Sequence, residues 1–467
     1  MPHSSAIKEI IRVSPVLFLT YQFLKMKNLF LVLLMPCFLA FSCKNEPKAV
    51  VREAKTPPQE AVVANTTPTP VAEAPSVKTD ILTPFELNTD ESPIELVGQP
   101  ISLKKGVNLT LNIPKDFKVS VAYEGLDRPR FLTLSPDNRY FLTDMWNRSD
   151  NKRGKVYILD NWNDAEHRFT SIKTFIEGLH NGNQVAFFKD KGVMYIYVSE
   201  SGKITRYPYE NGDDKPRGQG EIVLKMPDSG TSYKYGGWHM TRSMAFHDGK
   251  LYVSIGSGCN ACVEKEEIRS TIMQMNPDGS DVKYYARGVR NAVGMKWIGD
   301  KLWVTNMGRD QIGADVPEDM FHTIEEGKYY GFPFYYQFKG KILADKTFKD
   351  SIRPAFTTEP PVAFCGFKAH SAPLGFDYFK DFDDSALKNG FLVALHGSNT
   401  VSRERGYAVV KVNGTNSYTD IVTGFLPKGS KEDKDRLGRP CDVMMRDKQS
   451  FFVTDDMNGV LYFFWKN

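Results

Sequence analysis

Arg130-Phe-Leu-Thr-Leu-Ser-Pro-Asp-Asn-Arg-Tyr-Phe-Leu-Thr-Asp144 is two apolar alternating runs separated by a Ser-Pro-Asp-Asn turn. Period-two alternation broken by turn chemistry marks a pair of antiparallel strands. The same phrase returns in Gln184–Glu200, Ser243–Ile255, Gly294–Asn306, Leu374–Phe379 with Phe391–His396, and Asp442–Asp455. The second run ends in a small or acidic residue, and more strand follows. Copies spaced by tens of residues indicate radial repetition rather than a sandwich, so the reading is all-β, a six-bladed β-propeller over residues 118–467. No strand follows the last run, Gly459–Trp465. The early run Phe117-Lys-Val-Ser-Val-Ala122 is therefore expected to complete the final blade and close the ring, which removes an exposed sheet edge. Residues 81–117 are expected to be an N-terminal extension in which Val107–Ile113 adds a hairpin.

Upstream, the composition changes. Lys27 is followed by an apolar run to Ser42 that is too short to span a bilayer comfortably and reads as a signal peptide. Met26-Lys27 is a more usual opening for such a peptide than the residues before it, so Met26 is the expected true start. Leu39-Ala40-Phe41-Ser42-Cys43 resembles a bacterial lipobox, with Cys43 the residue to be lipidated. Residues 44–80, rich in Pro, Ala, Thr, Val and Glu and without apolar periodicity, read as a disordered tether. The expected location is exported and lipid-anchored, periplasmic or at the cell surface.

The chain of 467 residues is 41% hydrophobic and 25% charged, which is ordinary globular material. Of its formal charge of +4, most belongs to the leader, where Lys8, Arg12, Lys25 and Lys27 face only Glu9. The remainder is close to neutral, and no nucleic-acid partner is expected. Four cysteines follow the lipobox: Cys259, Cys262, Cys365 and Cys441. In an exported chain they are expected as disulfides. No His follows Cys262, which excludes a c-type haem site, and no second C-x-x-C offers a zinc site. Three pairings are open, with Cys259 to Cys262 preferred and Cys365 to Cys441 left by elimination.

A ring of blades does not define a function, so the loops must. In order they are Gly237-Trp-His-Met-Thr-Arg242, Leu251–Asn260, Arg287-Gly-Val-Arg-Asn-Ala-Val-Gly294, Gly308-Arg-Asp310, Pro317-Glu-Asp319, Tyr330-Gly-Phe-Pro333, Ala369–Gly375, Leu395-His-Gly-Ser398, Gly438-Arg-Pro440 and Thr454-Asp-Asp456. This ordered set resembles the glucose/sorbosone dehydrogenases, propellers that use pyrroloquinoline quinone (PQQ) and calcium, and the sorbosone branch is the nearer likeness. The resemblance implies oxidation of an aldose or sugar aldehyde by hydride transfer to the quinone, with electrons passed to a separate acceptor such as a membrane quinone or cytochrome. Independently, no side chain accepts a hydride, and no Gly-x-Gly-x-x-Gly opens a βαβ unit for a nicotinamide dinucleotide.

By that resemblance His239 is the catalytic base, and Arg290 and Asn291 meet the quinone, the arginine stabilising charge developing on its reactive oxygen. A tricarboxylate cofactor needs cations, for which Lys380 and Arg439 stand in matching places with Arg242 and Arg436 as helpers. The carbonyls of Gly308 and Arg309 would hold the cofactor's calcium, and Asp315, Glu318 and Asp319 a second, structural ion. Two positions depart from the family. Ser257 stands where the glucose-oxidising branch has an aspartate beside the base, and Asn399 where relatives carry a tryptophan. These departures motivate a rival reading as a non-catalytic surface propeller that binds glycan or protein. A calcium-dependent lactonase ranks third, since His239, Arg290 and Arg439 are cationic rather than carboxylate chemistry.

Overall fold

The computed structural model describes residues 85–227, 239–398, 405–430 and 433–467. The leader with Met26 and Cys43, the tether, the loop residues Gly237 and Trp238, and Asn399 lie outside the described residues. Six four-stranded antiparallel sheets form the ring. Their innermost strands are Pro129–Leu134, Val185–Asp190, Arg242–His247, Ala292–Ile298, Pro373–Tyr378 and Pro440–Asp447, belonging to blades one to six. Each repeat read from the sequence supplies the inner two strands of one blade. Blade six takes its fourth strand, Phe117–Glu124, from the start of the ring, paired antiparallel with Val460–Lys466. Strands Leu96–Ser102 and Asn108–Pro114 form a hairpin outside the ring, joined to blade five through Asn112 and Thr423. A second hairpin, Tyr335–Phe338 with Lys341–Ala344, is inserted in blade four between its third and fourth strands.

The hydroxyl near the end of each repeat has a structural purpose. Thr143 Oγ1 donates to the carbonyl of Asn183 (2.6 Å), Ser199 Oγ to Arg242 (2.9 Å), Ser254 Oγ to Ala292 (2.8 Å), Thr305 Oγ1 to Leu374 (2.7 Å) and Thr454 Oγ1 to Arg130 (2.9 Å). Every one of these bonds ties the second strand of a blade to the inner strand region of the next. A buried carbonyl without a partner costs about 1–3 kcal/mol, so the pattern both satisfies the carbonyl and sets the spacing of the blades. Blade five has Ala394 at that position and therefore no hydroxyl. Its inner strand instead sends Asp377 across to the amide of Met445 in blade six (2.9 Å).

Apolar faces fill the wedges between blades. Between blades four and five, Trp303, Phe321 and Phe376 surround Phe391 with ring centroids 4.6, 5.0 and 6.0 Å away. Each such buried aromatic stabilises the fold by about 1.5–3 kcal/mol. Phe131, Val293, Leu374 and Cys441, from the inner strands of blades one, four, five and six, form a cluster of their own together with Met307.

That cluster corrects one expectation. The Cys259–Cys262 bridge is formed, but Cys365 and Cys441 are both free and buried. Cys365 lies on the outermost strand of blade four, packed with Phe321 and Phe367, whereas Cys441 lies on the innermost strand of blade six. Elimination paired two residues that radial position and an intervening blade separate. Both thiols are pushed up to about 12 by burial, so they behave as small apolar side chains.

Candidate functional site

The loops that lead into the inner strands meet at one end of the ring, around a cavity of about 700 Å³. Their placement again comes from the repeat. In blades one, four and six the residue after this hydroxyl is a hydrogen-bond acceptor that catches the amide of a loop residue at the cavity. Asp144 Oδ1 accepts from the amide of Arg128 (2.8 Å), Asn306 Oδ1 from Asn291 (2.9 Å) and Asp455 Oδ1 from Arg439 (2.9 Å). Arg128, Asn291 and Arg439 are thereby delivered to the same cavity from blades one, four and six.

His239 lines the cavity, three residues before the inner strand of blade three and in a left-handed backbone conformation (φ 48°). Its Nδ1 lies 2.9 Å from the carbonyl of Ser257 and 2.8 Å from Ser257 Oγ. A carbonyl only accepts, and the Ser257 hydroxyl donates its own proton to the carbonyl of Cys259 (2.8 Å). Nδ1 must therefore carry the hydrogen, which makes Nε2 the unprotonated nitrogen. Burial, and then the charge of Arg290, holds the imidazole well below its ordinary value, so it stays neutral at physiological pH. The missing family aspartate is replaced by a neutral serine that fixes the same tautomer.

Arg290 is buried and completely directed by its neighbours. Nε donates to the carbonyl of Asn260 (2.9 Å), Nη2 to Asn260 Oδ1 (2.9 Å) and Nη1 to the carbonyl of Gly308 (2.8 Å). Burial lowers its guanidinium to about 10, which leaves it charged. Arg439 is buried in the wall of the same cavity, with Nε donating to the carbonyl of His396 (3.0 Å) and Nη2 to that of Gly397.

Other expected residues are placed differently. Arg242 is fully buried under the loop of His239, donating to the carbonyls of His239 (2.7 Å) and Thr241 (2.9 Å), and so supports that loop from behind. Arg436 lies close enough to Arg148 at the cavity to act on its charge. Lys380 is exposed, just beyond Tyr378, at the end of the blade-five inner strand opposite the cavity. The resemblance placed Lys380 among the cofactor's cations, but the direction of the strand carries it away. The acidic residues also diverge. Asp315 pairs with Arg405, while Glu318 accepts from the amides of Lys339 (2.9 Å) and Gly340 (3.4 Å) and braces the inserted hairpin. Only Asp319 reaches the cavity, accepting from the amides of Gly308 and Ala372 (both 2.8 Å), its carboxyl pushed up to about 6 by burial. Cys259, Cys262 and Glu264 come within 4.8 Å of one another, but the two sulfurs are bonded to each other.

Several cavity residues had no role in the sequence reading. Arg128 and Arg130 both bond Asp456 Oδ2 (2.7 and 2.6 Å), whose other oxygen lies 2.7 Å from His396 Nε2. Burial opposes ionisation of Asp456, yet His396, Arg128 and Arg130 hold its carboxyl well below the usual range. His370 sits three residues before its inner strand at φ 66°, the register and conformation of His239. Its Nδ1 lies 3.1 Å from Asp310 Oδ1 and its Nε2 3.0 Å from the carbonyl of Gly313. The contact with Asp310 raises the imidazole above its ordinary value. Superposing the six repeats, rather than reading each loop separately, would have picked out Arg128 and His370, since they share register with Arg439 and His239.

The wall formed by Arg128, Arg130, Arg148 and Arg439 is more cationic than the single Asp456 behind it balances, which fits a ligand bearing several carboxylates. Gly308 and Asp319 line the same cavity, and a backbone carbonyl and a carboxylate are oxygen donors of the kind a hard divalent cation takes. Space around His239 is tight. A Cβ at Gly256 would lie 2.6 Å from His239 Cβ and 2.9 Å from Asn291 Oδ1. Gly256→Ala is expected to displace His239 and reduce turnover roughly tenfold or more, with less effect on melting temperature, as dye-reduction kinetics and thermal unfolding would show.

The family model described as glucose/sorbosone dehydrogenase matches residues 126–409. An uncharacterized protein of Borreliella burgdorferi is 25% identical over 370 residues, covering 76% of this chain and 91% of that protein. Among solved structures, the holo form of the pyranose dehydrogenase PQQ domain from Coprinopsis cinerea aligns with a TM-score of 0.61 at 17% identity, over 78% of this chain and 98% of that one. A calcium structure of a Trichoderma reesei family AA12 carbohydrate-active enzyme aligns with a TM-score of 0.60 at 16% identity, over 81% and 99%. At those identities the two structures share its fold.

Proposed function

Because the chain belongs to the glucose/sorbosone dehydrogenase family, we propose that it oxidises a sugar or sugar aldehyde with PQQ and calcium in the arginine-lined cavity. The observation that carries this reading is the tautomer of His239, which leaves Nε2 unprotonated on a residue that lines a cavity rich in cations. PQQ, when bound, supplies the two-electron acceptor that no side chain provides. Arg128, Arg130, Arg148 and Arg439 would hold its carboxylates, and Gly308 and Arg309 with Asp319 its calcium. The PQQ domain and the calcium structure among the fold neighbours support that pair.

His239 Nε2 takes the hydroxyl proton of the substrate. Arg290, clamped by Asn260 and Gly308, presents a fixed positive charge where negative charge develops on oxygen. Ser257 orients the base without adding the charge of a carboxylate, so Nε2 is a weaker base than in a His–Asp pair. An aldehyde hydrate, whose hydroxyls are more acidic than those of an alcohol, suits it better than a plain sugar alcohol, which favours a sorbosone-like substrate. Export, a lipid on Cys43 and delivery of electrons to a membrane quinone or cytochrome complete the proposal.

The test is reconstitution of the purified chain with calcium chloride and PQQ, followed by a panel of aldoses and sugar aldehydes. Cofactor-dependent dye reduction that saturates with sugar is expected, and is strongest with an aldehyde. Absence of both PQQ binding and turnover across the panel would overturn the reading in favour of a non-catalytic propeller.

A further inference from the structure

Base and arginine are both held by one short turn, Ser257 to Cys262, which the Cys259–Cys262 disulfide closes. Ser257 offers its carbonyl and Oγ to His239 Nδ1, and its Oγ is in turn aimed by the carbonyl of Cys259. Asn260 offers its carbonyl and Oδ1 to Arg290. The turn is also tied to the neighbouring loop, since Asn260 Nδ2 donates to the carbonyl of Asp310 (3.1 Å) and the Asp310 amide to Asn260 Oδ1 (2.9 Å). On its far side Glu264 accepts from the amide of Gly258 (3.0 Å) and from Ser270 Oγ (3.1 Å). Between these anchors, the backbone from Cys259 to Cys262 is held by the disulfide.

We propose that the Cys259–Cys262 disulfide is a positioning element for His239 and Arg290, so that its reduction uncouples both from their orienting groups while the ring remains folded. The bridged residues are three apart in sequence, so closing that loop constrains the unfolded chain little and acts mainly on local geometry. Both cysteines are half-buried, within reach of a small dithiol. In the exchange the dithiol loses two electrons and two protons and closes to its own disulfide, while the Cys259–Cys262 bond breaks to two thiols. An oxidising compartment keeps the bridge intact and the site assembled. The consequence for turnover rests on the dehydrogenase reading, whereas the consequence for His239 does not.

The experiment labels the full chain with 15N-histidine and compares imidazole nitrogen shifts before and after dithiothreitol, with bridge reduction followed by mass. Before reduction His239 should show the Nδ1-protonated tautomer, and after it a mixture, with an unchanged melting temperature. Cys259→Ser/Cys262→Ser should show the mixture with or without dithiothreitol. In the PQQ-loaded chain the same treatments should lower kcat roughly 10- to 100-fold with little change in KM. A reduced chain that keeps the single tautomer overturns the proposal, as does a dithiothreitol effect that persists in the double variant. If no sugar is oxidised even by the intact chain, the enzyme reading fails while the nitrogen shifts still decide the role of the bridge.

Discussion

His239→Gln should lower kcat for sugar-dependent dye reduction by about 10²–10⁴-fold, with PQQ affinity and melting temperature little changed. Glutamine approximates the volume of imidazole and its amide can donate to the Ser257 carbonyl as Nδ1–H does, so the loop stays in place. What it lacks is a basic nitrogen facing the cavity. Removing the base without disturbing the wall of arginines separates proton abstraction from cofactor binding. The measurement is steady-state kinetics together with PQQ titration on the same preparation. Turnover within a few-fold of the natural chain would exclude His239 as the base.

Arg290→Ala should cost about 10²–10³-fold in kcat, and Arg290→Lys should restore little of it. The guanidinium makes three directed hydrogen bonds, to the carbonyl and Oδ1 of Asn260 and to the carbonyl of Gly308. An ammonium keeps the charge but cannot reproduce that planar fork, so its position over the cavity is lost. Alanine leaves those acceptors without their donor and also removes one of the charges that depress the imidazole of His239. The pH at which His239 protonates should therefore rise in Arg290→Ala and stay depressed in Arg290→Lys, readable from histidine nitrogen shifts. Full rescue of kcat by lysine would show that charge alone matters there.

Much of the ring was legible because a propeller repeats one local instruction. Alternation, a turn, then a second apolar run identifies an inner strand pair, and the hydroxyl bonds that join successive blades explain why Ser or Thr returns near its end in five of the six. Arg290, Asn291 and Arg439 were legible because the loops that carry them follow the ordered motifs of the family resemblance. Lys380 was misplaced because its loop lies at the other end of a strand whose start does reach the cavity. Cys365 and Cys441 were paired by counting, which carries no information about radius. Asp456, His396, Arg128 and Arg130 form their network over separations of up to 328 residues, and nothing in any one loop signals it.

Local chemistry thus dictated the number of blades, the strand that closes the ring, and the loops that carry titratable groups, because period, turn residues and capping acceptors act over a few neighbouring positions. Closure of the ring decided the rest. It drew Arg128 and Arg130 onto Asp456 and used Asn260 as the clamp of Arg290. These contacts join residues from different loops whose separation depends on the angle between blades, a quantity set by packing of the wedges and absent from any local pattern.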